Sequence, residues 1–328
     1  MTLPDTHTFA QQLYKDGVIL DPQARLEPLT GGVSSEIYHV TDGARQFVVK
    51  RALAKLNVAA EWYADTSRNV MEQAYLGYVG RVLPLAVPKL IHASVEDDYF
   101  AMEFLEGFTN WKADLLAGQF DVALAGEAGR ILGKIHAASW NDPIVVTQFD
   151  AIENFDQLRI DPYLRATAKR HPTLAPQLLA EADRLRQSRQ CLMHGDYSPK
   201  NMLHHEGRLV ILDCEVACHG DAAFDLAFLL NHLLLKGMFH APKETDLPKL
   251  FEAVMTSYAN EVGGLSAQTF KSAARLLPML LLARVDGKSP VEYLGATEQQ
   301  NVRQFAIVHV QTPPEDLSTL ASQWYTHL

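Results

Sequence analysis

The sequence predicts an α+β fold in which short strands come first along the chain and long helices come later. Short apolar runs bounded by turn residues predict strands within residues 25–40, 46–50 and 98–107. Apolar residues at helical spacing predict helices within 112–140, 222–238 and 247–310. The 328 residues, 48% hydrophobic and 21% charged, are enough for one large domain or two moderate lobes.

A turn rich in glycine and serine joins the first two predicted strands. It contains Gly31, Gly32, Ser34 and Ser35. Such a turn can lie over phosphate groups, because no bulky side chain separates its backbone N–H groups from the phosphate oxygens. A Gly-Gly turn between strands is also a common hairpin, and the GxxxxGK[ST] pattern of a P-loop is not present.

Two charged residues follow at positions that suit an ion pair. The strand at 46–50 ends on Lys50, and a helix predicted over 68–79 carries Glu72. Seen alone, either residue is more simply a solvated charge at the surface. Glu61, which precedes the helix, is the reserve partner for Lys50.

Two polar stretches in the second half of the chain carry the chemistry. The stretch HGDYSPKNML places four residues between Asp196 and Asn201, and the stretch ILDCE ends an apolar run with Asp213 and Glu215. Phosphoryl transfer from ATP requires a carboxylate that accepts the proton of the attacking hydroxyl, and hard oxygen ligands that hold magnesium. Asp196 suits the first task, and Asn201 and Asp213 suit the second. Short apolar runs that flank these residues predict paired strands at 191–193, 202–203 and 209–212.

The spacing of Asp196 and Asn201 is also that of the protein-kinase catalytic loop, with informative departures. Gly195 replaces the arginine of that loop, Ser198 stands where protein kinases carry a lysine, and 213–215 is Asp-Cys-Glu rather than Asp-Phe-Gly. Together these features resemble the aminoglycoside phosphotransferase and choline kinase superfamily, whose members are small-molecule kinases built on the protein-kinase fold. The segment KRALAKLNVAAEWYADTSRNVMEQAY is further similar in style to methylthioribose kinases.

The resemblance implies a two-lobed protein-kinase-like fold with ATP and Mg²⁺ as cofactors. Residues 1–105 would form a small nucleotide-binding lobe with an antiparallel sheet plus a helix. Residues 106–328 would form a larger, mostly helical lobe for catalysis and substrate binding. The acceptor would be a small molecule that carries a hydroxyl group.

Site roles for the first lobe follow from the same resemblance. Lys50 would contact the α- and β-phosphates and pair with Glu72. The Glu103 carbonyl and the Leu105 N–H would bind adenine, with Met102 behind the ring. The nucleotide-binding residues are thus Gly31, Gly32, Ser34, Ser35, Lys50, Glu72, Met102, Glu103 and Leu105.

In the second lobe, Asp196 would take or orient the hydroxyl proton. Asp225 would hold the catalytic loop by hydrogen bonds to its backbone, and His194 would brace that loop rather than act in catalysis. The catalytic set is Asp196, Asn201, Asp213 and Lys50, and the metal set is Asn201, Asp213 and Glu215. Glu215 would act as a ligand through water or as a substrate contact.

For two further clusters of residues, the sequence supports both a functional and a packing interpretation. Three charged residues, Arg284, Asp286 and Lys288, either anchor a substrate or mark the end of a helix, which Gly287 terminates before a solvated loop. Cys214, Cys218 and His219 lack a second ligand pair, so small buried residues are a simpler explanation than a metal site. His136 has no partner histidine one turn away and is expected to be a core or surface residue of its helix rather than a metal ligand. Residues 141–190 show no motif.

Composition and hydropathy exclude several classes of function. The formal net charge of −10 argues against non-specific nucleic-acid binding, which needs a basic face. The first ten residues lack the pattern of a signal peptide, and charged or polar residues interrupt the apolar run at 222–238, so we expect a cytoplasmic protein without a membrane span. The oligomeric state has no signature in the sequence.

Three rival functions differ in what they require. A pseudokinase would bind nucleotide without turnover, but Lys50, Asp196, Asn201 and Asp213 are all present. A protein kinase would carry the missing arginine and lysine and an Ala-Pro-Glu segment, and a metal hydrolase would need paired histidines. The acceptor stays open among aminoglycosides, choline, methylthioribose, other sugars and amino alcohols, as does the choice between ATP and GTP.

Overall fold

The computed structural model describes residues 6–29, 35–52, 67–94, 98–241 and 245–328. The chain divides into two compact units, Met1–Gly107 and Phe108–Leu328. The first unit is built on a sheet and the second is mainly helical, so the α+β class is confirmed. The lobe functions assigned from the sequence, with a boundary after residue 105, stay predictions.

The first unit contains one antiparallel sheet of five strands in the order β1-β2-β3-β5-β4. Its elements are α1 (Thr6–Lys15), β1 (Arg25–Pro28), β2 (Ser35–Asp42), β3 (Arg45–Ala52), α2 (Ser67–Val82), β4 (Leu90–Ser94) and β5 (Tyr99–Glu103). β3 lies in the middle of the sheet, between β2 and β5. Its Lys50 lies opposite Ile37 of β2 on one side and opposite Phe100 of β5 on the other. Lys50 is therefore held on both sides by backbone hydrogen bonds.

Alternation along β3 explains why its lysine is buried. Phe47 and Val49 point into an apolar cluster that includes Phe9 of α1. Successive side chains of a strand point to opposite faces, so Lys50 points away from that cluster. On that face it meets Glu72 of α2.

The second unit combines many helices with short strands. Its regular elements up to the central motif are β6 (Thr109–Asn110), α3 (Trp111–Leu116), α4 (Val122–Ser139), α5 (Pro143–Gln148), α6 (Ile152–Phe155), a π-helix (Asp156–Arg165), α7 (Ala166–Arg170), α8 (Ala175–Gln187), β7 (Cys191–Met193) and a 3₁₀ turn (Pro199–Asn201). The later elements are β8 (Met202–His205), β9 (Arg208–Ile211), β10 (Cys218–Gly220), α9 (Ala222–His240), α10 (Leu247–Val262), a 3₁₀ turn (Gly263–Leu265), α11 (Ser266–Asp286), α12 (Ala296–Gln311) and α13 (Leu317–His327).

The short strands around the central motif form two separate sheets. β8 and β9 pair as predicted, with Met202 opposite Ile211. β7 does not join them and pairs instead with β10, with Met193 opposite Cys218. The prediction of one paired set was therefore wrong for β7, because a three-residue partner such as β10 is too short to leave a pattern in the sequence.

Helix α9 is the most deeply buried helix of the motif region. Asp221 caps its N-terminus, since the Asp221 side chain accepts a hydrogen bond from the Ala223 N–H. By length and composition α9 is apolar enough to cross a membrane, but 94% of its apolar stretch is buried inside the protein. That burial is what a core helix shows.

Helices α4 and α10 approach each other closely because glycine lines their contact. A Cβ added at Gly129 would lie 2.3 Å from the Val254 carbonyl oxygen, and one added at Gly133 would lie 2.9 Å from the Tyr258 carbonyl oxygen. Residues with a Cβ cannot occupy such positions without moving the backbone. The close approach brings Tyr258 within reach of His136 on α4.

Candidate active site

Asp225 holds the loop that carries Asp196. Its two carboxylate oxygens accept hydrogen bonds from the His194 N–H at 2.7 Å and the Gly195 N–H at 2.9 Å. The structural role predicted for Asp225 is thereby confirmed. Gly195 is required at this turn, because its φ is +75° and an added Cβ would lie 2.8 Å from the Val216 carbonyl oxygen.

Two buried histidines support this arrangement. His136 on α4 lies 3.5 Å from an Asp225 oxygen through Nε2 and 3.0 Å from the Tyr258 hydroxyl through Nδ1. The His194 ring accepts from the Asp196 N–H at 3.1 Å and contacts the Leu212 carbonyl at 3.0 Å. These two contacts make Nδ1 the acceptor and Nε2 the donor, which is a neutral tautomer. Burial lowers the pKa of His194 against the attraction of nearby carboxylates, in keeping with the bracing role predicted for it.

Asp196 is buried between two cations. Arg159 Nη2 and Lys200 Nζ lie 3.0 Å and 2.9 Å from Asp196 Oδ2. Burial works to raise the pKa of Asp196, but the charges of Arg159 and Lys200 outweigh it, so the pKa falls below its usual value. Asp196 is thus an ionised acceptor whose charge is held in place.

Arg159 was missed by the sequence analysis. It lies in the π-helix within 141–190, a region without a motif, and its Nε donates to the Gly195 carbonyl at 2.7 Å. Burial works to lower the pKa of Arg159, but the charge of Asp196 raises it, with smaller contributions from Asp213 and Glu215. Arg159 therefore holds the Asp196 loop through both the Asp196 carboxylate and the Gly195 carbonyl. π-helices are rare and often occur at functional sites, but nothing in the sequence separates Arg159 from its charged neighbours.

Backbone and amide hydrogen bonds join the two polar stretches. The Asn201 side-chain nitrogen donates to the Asp196 carboxylate at 3.0 Å and to the Asp196 carbonyl at 3.1 Å. The Leu212 N–H donates to the Asn201 carbonyl at 2.9 Å, so Asp213 follows directly from a residue tied to Asn201. Asp213 has a φ of +60°, an uncommon conformation for a residue other than glycine and one concentrated at functional sites.

The chemistry of this donor set fits a hard cation. Because the Asn201 nitrogen bonds to Asp196, its amide oxygen is the atom turned to other partners. Asp213 and Glu215 are only partly buried and supply carboxylate oxygens two residues apart. An amide oxygen and carboxylates are the ligands that Mg²⁺ takes in proteins. The predicted metal set is therefore suited to Mg²⁺, and its function as a metal site stays a prediction.

In the first unit, Lys50 pairs with Glu72 as expected. Lys50 Nζ lies 2.6 Å from Glu72 Oε2, and the two side chains are 8% and 4% exposed. A buried cation of this kind keeps its charge only with such a partner. Glu61, the reserve partner, lies outside the described residues.

The other nucleotide-binding residues predicted in the first unit lie at its strand ends. Ser35 begins β2, and Met102 and Glu103 end β5. The Glu103 N–H donates to the Lys89 carbonyl at 2.9 Å, and the adenine contact assigned to the Glu103 carbonyl stays a prediction. Leu105 follows the strand. Gly31, Gly32 and Ser34 lie outside the described residues.

A cavity of about 210 Å³ lies beside Asp196 within the second unit. Arg284 lines it, so one of the three residues proposed as a substrate anchor does reach this site. Asp286 instead pairs with His171 and Arg303, and Lys288 pairs with Asp161 at 2.6 Å. Helix α11 ends at Asp286, immediately before Gly287, as the packing alternative predicted.

The cysteines show no sign of metal ligation. Cys191, Cys214 and Cys218 are buried, and none of the three forms a disulfide bond. Across the described ranges, no group of three or more His, Cys, Asp or Glu side chains is arranged to hold a metal ion. Burial raises the pKa of Cys191 and Cys218, which keeps both thiols protonated.

Comparison with solved structures identifies the fold class. An aminoglycoside phosphotransferase, APH(2'')-IIa in a ternary complex with streptomycin and ATP, superposes over 97% of this chain and 99% of its own, with a TM-score of 0.54 and 15% identity. A choline/ethanolamine kinase family protein from Mesorhizobium loti covers 98% of this chain and 92% of its own, with a TM-score of 0.51 and 13% identity. The predicted protein-kinase-like fold is thereby confirmed.

The family follows from the sequence itself. A model of the phosphotransferase enzyme family, APH, matches residues 25–248. The chain belongs to this family, which confirms the predicted resemblance and the predicted class of enzyme. Methylthioribose kinase from Exiguobacterium sibiricum is 23% identical over 246 residues, a match that spans 66% of this chain and 62% of that relative.

Proposed function

We propose that this protein transfers the γ-phosphate of ATP to a hydroxyl group of a small molecule. The observation that carries the proposal is Asp196, a buried carboxylate kept ionised by Arg159 and Lys200 at the wall of a cavity. Burying a carboxylate costs free energy, and at Asp196 the two cations compensate that cost. Here the charge faces a space that can admit an acceptor.

Asp196 would accept a hydrogen bond from the acceptor hydroxyl and take its proton as the bond to phosphorus forms. A low pKa suits this role, because phosphoryl transfer has a loose transition state and depends on positioning more than on strong base catalysis. Arg159 and Asn201 fix the carboxylate in orientation, and Asp225 fixes the loop. Lys200 stands next to Asp196 and offers the cation that Ser198 does not.

Mg²⁺·ATP would supply the transferable phosphoryl group and neutralise part of its charge. Asn201 and Asp213 would hold the metal, and Glu215 would contact it through water. Lys50 would bind the α- and β-phosphates, held by Glu72, and the Gly31–Ser35 turn would add backbone donors. APH(2'')-IIa has been solved with ATP, which supports the choice of nucleotide.

The relatives indicate the chemical class of the acceptor only broadly. They include a methylthioribose kinase and an aminoglycoside phosphotransferase, so sugars, aminoglycosides and amino alcohols are the reference compounds. A pseudokinase is the second candidate, and a protein kinase is a third. The intact set of Lys50, Asp196, Asn201 and Asp213 favours an active kinase over a pseudokinase. Gly195 and Ser198, which stand where protein kinases carry arginine and lysine, disfavour a protein kinase.

A coupled assay of ADP release tests the proposal. Purified protein is incubated with Mg²⁺·ATP and a panel of hydroxylated metabolites, with a peptide mixture as the control for protein-kinase activity. We expect ADP release with at least one metabolite and loss of that release when EDTA removes the metal. If ATP binds but no acceptor releases ADP above background, the pseudokinase alternative is favoured.

A further inference from the structure

The cavity beside Asp196 has an excess of cations that the proposed reaction does not require. Three of its lining residues carry a positive charge, and two carry a carboxylate. The lining cations are Lys112, Lys200 and Arg284, and the carboxylates are those of Asp196 and Glu292. The aromatic and neutral residues of the wall include Tyr163, Phe228, His232 and Tyr293.

Both carboxylates already have cationic partners. Lys112 pairs with Glu292, and Lys200 pairs with Asp196. Arg284 has no carboxylate partner among the described residues. Its Nη1 donates to the Tyr163 hydroxyl and to Ser289, and its Nε has no hydrogen-bond partner in that part of the chain. The wall therefore keeps a positive charge that is not compensated from within.

A second uncompensated cation lies directly behind the wall. Lys236 of α9 is fully buried, and its Nζ lies 5.3 Å from the centre of the Tyr293 ring, which lines the cavity. Within the described ranges, Lys236 Nζ has no hydrogen-bond partner. His232, one turn earlier on the same helix, lines the cavity and is 8% exposed, and its Nε2 is also without a partner there.

Buried polar groups without partners are rare in native proteins, and each calls for an explanation. Here four of them, on Arg284, Lys236, His232 and Tyr293, lie at or directly behind one small cavity in the described part of the chain. Cations left unpaired inside a protein cost stability, so chains retain them where a ligand completes the pairing. A neutral or cationic acceptor would leave this charge uncompensated or add to it.

We propose that the acceptor is a small hydroxylated anion, whose carboxylate or phosphate ester binds at Arg284 while its hydroxyl faces Asp196. This inference rests on the proposed function and names its acceptor class. Arg284 would make the direct contact, because a guanidinium matches planar and tetrahedral oxyanions with paired hydrogen bonds. Lys236 would act through Tyr293 and the field of the site, and His232 would donate a hydrogen bond as a neutral imidazole.

The size of the cavity supports a compact acceptor. Its volume of about 210 Å³ lies below the range of roughly 300–1,000 Å³ that drug-sized ligands occupy. An acid of three to six carbons suits that space better than a large aminoglycoside. The cationic wall also disfavours aminoglycosides and amino alcohols, since like charges repel strongly where water is excluded.

The charge state of Lys236 gives the proposal a second signature. Burial, then the charges of Lys112 and Arg284, lower the pKa of Lys236 to about 7, and Glu292 works in the opposite direction. The other groups that face it are Tyr293 and His232. Burial raises the pKa of Tyr293 and lowers that of His232, so both are neutral near pH 7. An anion bound nearby would favour the charged lysine, so binding should take up protons above pH 7.

Matched sets of acceptors test the proposal by ADP release. At each length from three to six carbons, the set contains a neutral polyol, its amino-deoxy derivative, its aldonate and its monophosphate. We expect kcat/KM for an aldonate or a monophosphate to exceed that of the matched polyol by about tenfold or more, and the amino compound to be the poorest. The carboxylate and phosphate members separate the two sources of the anionic group.

Variants locate the effect at the cavity. Arg284→Gln should raise KM for the best anionic acceptor by about 10- to 100-fold with a smaller effect on kcat. Lys288→Gln removes the same charge four residues later, outside the cavity, and should change neither parameter. Lys236→Met should stabilise the free protein, because it replaces a buried amine that has no hydrogen-bond partner in the described ranges with an apolar side chain, and yet weaken binding of the anionic acceptor. A purely structural role for Lys236 would not produce these opposite effects.

Binding measurements keep the outcomes distinct. Calorimetry at pH 7.5 in buffers of different ionisation enthalpy should show proton uptake with the best anionic acceptor, and Lys236→Met should abolish it. If neutral or amino acceptors are used as well as the acids, the proposal is overturned while the kinase function stands. If no acceptor releases ADP, the kinase function fails. In that case, binding of the acids still tests the anion site at Arg284. The proposed site is overturned if the acids do not bind and do not raise the melting temperature of the protein more than the matched polyols do.

Discussion

The two units of the molecule carry buried charge in different ways. In the first unit, Lys50 and Glu72 form one pair between neighbouring elements of a sheet-and-helix core. In the second unit, Asp196 receives contacts from Arg159, Lys200 and Asn201, and several other residues hold the loop beneath it. From this difference we expect that both members of the ion pair can be replaced together, whereas the network fixes one carboxylate from several directions.

The largest effect should come from breaking the pair of the first unit. Lys50→Met leaves Glu72 buried without its cation and should lower the free energy of unfolding by about 3–5 kcal/mol. The double variant Lys50→Met/Glu72→Leu removes both charges and should regain most of that loss, but not phosphoryl transfer. Urea unfolding and the ADP assay measure the two properties separately. A double variant as unstable as the single one would show that the pair is not exchangeable.

A smaller effect on stability should follow from Asp225→Ala. The change leaves the backbone N–H groups of His194 and Gly195 without acceptors in a buried loop, which should cost about 3 kcal/mol. Unlike the pair of the first unit, this loss should not be regained by also changing His136. The matched control is Asp121→Ala, which removes the exposed cap of α4 and should cost only about 1 kcal/mol. Equal losses for the two variants would contradict the role of Asp225.

The smallest effect is a shift in pH dependence on changing Arg159. Asp196 must be ionised to accept a proton, so activity is lost as pH falls through its pKa. Arg159→Gln removes a charge that lowers this pKa, so the acid limb of kcat/KM should move to higher pH. Arg165→Gln is the control, since Arg165 pairs with Asp156 on the same helix and should leave the limb in place. An unshifted limb in Arg159→Gln would remove Arg159 from the charge balance of Asp196.

Local patterns allowed much of the fold and part of the site to be predicted. The apolar run at 46–50 predicts the strand that carries Lys50, and the helical spacing around Glu72 predicts a helix. In the structure these two elements are in contact through Lys50 and Glu72. The spacing of Asp196 and Asn201 predicts a single short loop that carries both side chains. These features depend on neighbours in sequence, so the sequence contains them.

The rest depends on contacts between distant segments. Arg159 reaches Asp196 from a π-helix that begins within a charged stretch without periodicity, and no local signal marks it. β7 pairs with a three-residue strand that follows Asp213, which only the folded loop brings into position. Arg284 was one of three candidates in the sequence, and only packing separates it from Asp286 and Lys288.

The central claim is that Asp196 acts on the acceptor and not on the nucleotide. The most direct measurement compares Asp196→Asn with the natural chain in two assays, Mg²⁺·ATP affinity by calorimetry and ADP release with a saturating acceptor. We expect affinity to change by less than about threefold, while kcat falls by about 10³-fold or more. Turnover within tenfold of the natural chain would contradict the claim.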